Sequence, residues 1–125
     1  MKKKVYYAHS MALYNTPQEQ RDIQTLLDLG FAVYNPNNPI VASQCERHKK
    51  EDGDYMEKIF GPLILDCKAL AFRAFGDGKI GAGVMKEIKM ADEYGIPIFE
   101  LPSAISERGL SVAVTRERLS ELGQR

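Results

Sequence analysis

The chain of 125 residues predicts an α/β fold: a doubly wound parallel sheet of four to five strands with helices on both faces. Three observations point there. Short β-branched and aromatic runs alternate with longer amphipathic segments in the order β-α-β-α-β-α-β. The first 36 residues make a complete β-α-β unit, whose connection implies parallel strands and a right-handed crossover. Further on, "GAGVMKEIKMADEYGIPIFEL", Gly81 to Leu101, reads as a glycine turn, a helix and a buried strand.

Each element has a local reason. "KVYYA", Lys4 to Ala8, is β-branched and aromatic and suits a strand. Tyr6 and Tyr7 must then face opposite sides of the sheet. In "NTPQEQRDIQTLLDLG", Thr16 is an N-cap, Pro17 holds the first helical position and Glu19 completes a capping box. Ile23, Leu26 and Leu27 supply the buried face, and Gly30 ends the helix as a left-handed cap. "FAVYNP" is a short strand stopped by Asn35 and Pro36. Residues 35 to 53 are polar and turn-rich and read as a long loop, with Gln44, Arg47 and His48 as candidates for setting ligand choice. A helix starts at Asp54 or Tyr55, with Met56, Ile59, Phe60 and Leu63 inside, and Pro62 is expected to kink or split it. "ALAFRAF", Ala69 to Phe75, is the third strand. A helix from about Gly83 to Tyr94 and the strand "IPIFEL" follow. The tail leaves room for one further short strand before a last helix capped by Thr115. No repeat or linker interrupts this pattern, so residues 1–125 read as a single domain.

Composition narrows the function classes. Seventeen basic and seventeen acidic residues balance, which leaves no footprint for a polyanion and argues against nucleic acid as a partner. The basic "RHKK", Arg47 to Lys50, is followed at once by Glu51 and Asp52 and reads as a solvated loop. "MKKKVYYAHS" lacks the apolar stretch of a signal peptide, and no apolar run approaches a membrane span. Cys45 and Cys67 have no metal-type spacing and suit a reducing cytoplasm. Two histidines and no C-x-x-C argue against a metal, and no cofactor motif is present: neither G-x-G-x-x-G nor G-x-x-x-x-G-K-[ST] occurs.

One residue resists the pattern. On a wheel of 100° per residue, Val84, Ile88 and Ala91 make the apolar stripe of the third long helix. Glu87 falls inside that stripe. Either it reaches out to a Lys or Arg, or it serves chemistry at the ligand crevice, because lone buried acids seldom persist unpaired. In an open parallel sheet ligands bind beyond the carboxyl ends of the strands. Three segments lie there: "AHSM" with His9 and Ser10, the loop holding Asn35 and Asn37, and "GDGKIGAG" with Asp77, Gly81 and Gly83. His9 is either a phosphate contact or a capping residue. The asparagines are either ligand contacts or turn formers, and Asp77 is most simply a turn former.

"VYYAHSM", "VYNPNNP" and "GAGVMKEIKMADEYGIPIFEL" together resemble the nucleoside 2-deoxyribosyltransferase-like superfamily, which includes small phage and bacterial members and 2′-deoxynucleoside 5′-phosphate N-hydrolases. The resemblance covers about residues 4 to 101. It rests on a strand-1 tyrosine, an Asn-Pro after strand 2, and a glutamate four residues after a glycine. It implies a flavodoxin-like fold, a nucleoside or nucleotide substrate, no cofactor and a homodimer or higher homo-oligomer. It also implies roles. Glu87 would be the nucleophile that attacks C1′ and expels the base, after which a second base or water takes the sugar. Tyr6 would orient Glu87, and Ser10 would fall where hydrolase members bind the 5′-phosphate. The family's acid beside strand 3, which protonates or holds the base, has no aligned match. Asp66 stands one or two places early and shares a helical face with Ile59 and Leu63; it is either the inward-pointing candidate or a helix-end acid in water, and Asp77 is the second candidate. Ala82 replaces the family's serine. The alternative is a protein of the same fold that binds a nucleotide derivative without cleaving it. A phosphoacceptor module would need an aspartate at the end of strand 3, and Asp77 comes several residues late.

Overall fold

The computed structural model describes residues 2–48, 55–102 and 111–123. Its strands are β1 (Lys4–Ala8), β2 (Ala32–Tyr34), β3 (Ala69–Phe72) and β4 (Ile98–Glu100), and its helices are α1 (Pro17–Asp28), α2 (Pro39–His48), α3 (Tyr55–Leu65), α4 (Ala82–Glu93) and α5 (Val112–Glu121). A single 3-10 turn, Met11–Leu13, follows β1. The four strands are all parallel in the order β2-β1-β3-β4. This is the α/β doubly wound sheet that the sequence predicts.

Period-two alternation sorts the central strands. Tyr6, Ala8 and Leu70 face one side, where Ile64 of α3 and Val84, Met90 and Ala91 of α4 cover them. Val5, Tyr7, Ala69 and Ala71 face the other, against Leu26 of α1 and Leu101. Tyr6 and Tyr7 are both fully buried, on opposite faces. Chain order reverses direction between β1 and β3, so the crevice that such sheets offer to ligands opens beyond Ala8 and Phe72.

Helix ends follow local chemistry. Thr16 Oγ1 accepts from the Glu19 amide at 3.3 Å, as a cap should. Gly30, at φ +95°, closes α1 with paired bonds from Gly30 N to Leu27 O and from Phe31 N to Leu26 O. The other half of the capping box does not form, because the Glu19 carboxylate turns inward instead (below).

Several sequence expectations need correction. The segment after β2 is not one long loop. Asn38 Oδ1 accepts from the Val41 amide at 3.0 Å and Pro39 takes the first helical position, so Asn38 and Pro39, inside the stretch expected to be loop, start α2. Residues 49–54 lie outside the described residues. Pro62 does not split α3, which runs through it as one helix. Strand β3 stops at Phe72 rather than Phe75. The tail's "SVAV" is helical rather than extended: Ser111, not Thr115, caps α5 by accepting from Val114 N at 3.3 Å, and Thr115 Oγ1 donates to Ser111 O from inside the helix. Among the described residues no helix is long and apolar enough to cross a membrane.

Candidate functional site

Beyond the carboxyl ends of β1 and β3 lies a cleft of about 680 Å³. The first turns of α4, through Gly83 and Val84, and Glu87 form its inner end. The β1–α1 connection supplies His9 and Tyr14, the β2–α2 connection supplies Asn37 and Asn38, and α2 presents Val41 and Cys45. Met56 and Phe60 of α3 add an apolar wall.

Glu87 is only 6% exposed. Its carboxylate accepts a buried hydrogen bond from the Tyr6 hydroxyl. Burial disfavours the charged form and pushes the carboxyl up to about 7, while the Tyr6 hydrogen bond pulls the other way. Among the described residues no Lys or Arg contributes to its titration. The same pairing, with burial first, raises the Tyr6 hydroxyl well above its usual range, so Tyr6 stays a donor. The field of Glu87 reaches further: it adds to burial in raising Tyr14 to about 12, and in raising the Cys45 thiol.

Beside the cleft sits a buried polar hub that the sequence reading missed. His9 is wedged between a stacked Tyr7, with centroids 3.8 Å apart, and a tilted Tyr14 at 4.9 Å. Its Nδ1 donates to Tyr7 O at 3.1 Å, and its Nε2 meets Glu19 Oε2 at 2.7 Å. A carbonyl thus faces one ring nitrogen and a carboxyl the other, so both edges of the ring are held. Glu19 also accepts from Asn15 N at 3.1 Å and from Asn37 Nδ2 at 3.0 Å. Burial opposes its charge, but the hydrogen bonds from His9, Asn15 and Asn37 outweigh it and hold Glu19 below the usual carboxylate range. One carboxylate thus ties β1, α1 and the β2–α2 connection together.

A second buried network lies on the α1 side of the sheet. Tyr7 Oη donates to Asp22 Oδ2 at 2.6 Å, and Arg73 pairs with both oxygens of Asp22, Nε at 2.9 Å from Oδ2. Arg73 Nη1 also reaches Pro102 O at 2.9 Å, so the pair ties α1 to the ends of β3 and β4. The signal for both networks was in the sequence. Glu19, Asp22, Ile23 and Leu26 stand at i, i+3, i+4 and i+7, the same intrusion of acids into an apolar stripe that singles out Glu87.

The remaining candidates divide. Ser10 borders the cleft, but its Oγ caps the 3-10 turn by accepting from Ala12 N at 3.2 Å. Asn35 Oδ1 accepts from Asn37 N at 2.9 Å, an Asx turn, and does not line the cleft. Asp77 is exposed and accepts from Lys79 N at 3.0 Å, also a turn. Gly81 is the N-cap of α4 at φ −64°, where a Cβ would stand 3.5 Å from the Phe75 ring. Asp66 does not point inward. It follows α3 at the amino-terminal edge of the sheet, the end away from Glu87, and forms an exposed ion pair with Lys4 at 2.7 Å. Its place in the stripe of Ile59 and Leu63 is misleading because α3 ends at Leu65, one residue before it.

Among the described residues no group of three or more His, Cys, Asp or Glu side chains is placed to hold a metal ion. No protein-family model matches the chain, and no curated protein matches it.

Proposed function

We propose that this chain breaks or transfers the N-glycosidic bond of a nucleoside, deoxynucleoside or nucleoside 5′-monophosphate, with Glu87 as nucleophile. One observation carries the reading: a carboxylate buried to 6% exposure and held by a tyrosine hydroxyl, lining a cleft at the strand ends, with burial as the main influence on its charge. A buried carboxylate is poorly solvated and reactive once ionised. In the first step a Glu87 oxygen bonds C1′ as the C1′–N bond breaks and its electron pair leaves with the base. In the second, water or another base attacks C1′ and restores the carboxylate. Tyr6 fixes the carboxylate's orientation throughout. The resemblance also implies a homo-oligomer, which light scattering tests.

A second reading is favoured by the position of Asp66. With that carboxyl at the far edge of the sheet, the expected base-side acid is not in the cleft, as suits a protein that holds a nucleotide derivative without cleaving it. Chromatography of deoxynucleosides, ribonucleosides and their 5′-monophosphates, incubated with and without an acceptor base, separates the two. Released base establishes cleavage, and dependence on the acceptor marks a transferase. Glu87→Ala is then expected to lose turnover while keeping much of the affinity. If every substrate returns intact but some raise the melting temperature, the binding reading stands.

A further inference from the structure

We propose that Tyr14 is a further catalytic residue of this site, its hydroxyl donating a hydrogen bond to the departing base. The inference rests on the glycosidic reading above and supplies the base-side group that Asp66 does not.

Four observations converge on Tyr14. It lines the cleft that contains Glu87. Its hydroxyl has no hydrogen-bond partner among the described residues, whereas the hydroxyls of Tyr6 and Tyr7 are both engaged. Its ring packs on His9, which is clamped in turn by Glu19 and Tyr7. The fourth is backbone strain. Asn15, the next residue, has φ +61°, the one positive value outside glycine among the described residues. It is held there from two sides: its amide donates to Glu19 Oε1 at 3.1 Å and its Oδ1 accepts from Asn37 Nδ2 at 3.1 Å. A non-glycine residue in the left-handed region persists only where surroundings over-determine it, and such positions cluster at ligand sites. Here the held bend fixes the backbone immediately after Tyr14.

The chemistry follows from the geometry of displacement at C1′. Glu87 attacks one face and the base departs from the other, so a group that assists departure must share the cleft with Glu87 without bonding to it. Tyr14 and Glu87 meet both conditions. The group must also be a donor at every working pH. Burial and the nearby Glu87 charge, which raise this hydroxyl to about 12, keep it protonated. Tyr14 therefore lends a hydrogen bond rather than a proton. The base leaves with the C1′–N electron pair and takes its proton from water. The resulting hydroxide opens the Glu87 ester at C1′, so the sum is nucleoside plus water giving free base and sugar.

Tyr14→Phe removes the hydroxyl and keeps the ring on His9, so the melting temperature should stay at the parent value. The experiment compares parent and variant on 2′-deoxyuridine and 5-fluoro-2′-deoxyuridine, and on deoxyadenosine and deoxyinosine. The first of each pair carries the poorer leaving base. A lost leaving-group donor is expected to lower kcat by about ten- to a hundredfold, more for the poorer leaving base in each pair, with KM moving less. Equal rates, or a loss equal across the bases, would overturn the role of Tyr14 while leaving Glu87 as nucleophile. If the parent cleaves none of the four, nor any nucleotide of the wider panel, the glycosidic reading falls and the role of Tyr14 falls with it.

Discussion

Tyr6 and Glu87, 81 residues apart in sequence, meet hydroxyl to carboxylate in the buried floor of the cleft. The contact joins the central strand β1 to α4 and places a buried acid beside the cleft. Two opposing effects act on it. Burial raises the Glu87 carboxyl to about 7 and the Tyr6 hydrogen bond restrains the rise. Glu87 is therefore about half protonated near neutral pH, and if it acts as the proposed nucleophile, activity should climb with pH through that value.

Glu87→Gln tests the burial term directly. A carboxyl whose folded pKa lies above its ordinary 4.5 contributes stability that is fully present below pH 4.5 and lost as pH rises through about 7. Gln keeps a carbonyl for Tyr6 and never ionises. The variant should match the parent in acid and exceed it in alkali, by on the order of 3 kcal/mol above pH 8. Thermal melts from pH 4.5 to 9 check this; a gap that does not widen with pH would show that Glu87 is not desolvated as described.

Tyr6→Phe tests the restraint. Losing the donor removes the interaction that favours the carboxylate, so the acid limb of the rate profile should move to higher pH. Removing a buried hydrogen bond to a charged group should also cost about 1.5–3 kcal/mol of stability. An acid limb that stays in place would mean that the hydroxyl orients Glu87 without tuning it.

The sequence made the sheet legible because strand and helix periods and the caps at Thr16 and Gly30 agree with the tertiary fold. It misled where one residue type serves two grammars. Asn38-Pro39 marks a turn or a helix start, and only the Asn38 Oδ1 to Val41 N bond decides. Glu87 stood out because its stripe was otherwise apolar. Glu19 reads as part of a capping box whose reciprocal half it does not make, and no local motif in the sequence singles out Asp22. Their partners, His9, Asn37, Tyr7 and Arg73, come from other elements, and a one-dimensional pattern does not contain that convergence.

Glu19→Gln should uncouple the hub. Its folded pKa is lowered, so it contributes stability that is present above its ordinary 4.5 and lost as pH falls through the lower folded value. The variant leaves His9 facing an amide and should lose about 3–5 kcal/mol at neutral pH, less in acid, where the parent's own advantage fades. Urea melts at pH 3 and pH 7 give the comparison, and a deficit independent of pH would contradict an ionised Glu19.

Asp66→Asn tests the first sequence candidate for the base-side acid. Asp66 pairs with Lys4 in solvent, away from Glu87, and the Lys4 hydrogen bond holds its carboxyl below the usual range. Turnover and its pH profile should be unchanged in the variant. A large loss of kcat would require Asp66 to enter the cleft and would overturn its position at the sheet's far edge.

Asp22 and Arg73 offer the sharpest test of the fold behind the site. Asp22, only 2% exposed, accepts both guanidinium bonds and the Tyr7 hydroxyl. Asp22→Asn keeps the shape and removes the charge, leaving the guanidinium without its carboxylate, and should destabilise by about 3–5 kcal/mol. Arg73→Met with Asp22→Leu removes both charges and should recover much of that loss, because an apolar pair avoids the desolvation that the ion pair incurs. Tyr7 adjoins His9 by stacking, so a third readout matters: if the Asp22 network supports the fold alone, the acid limb set by Glu87 stays at its parent pH in whichever variant folds. A shifted limb would mean that the two faces of the sheet are coupled through the Tyr7–His9 stack, and that the site extends across β1.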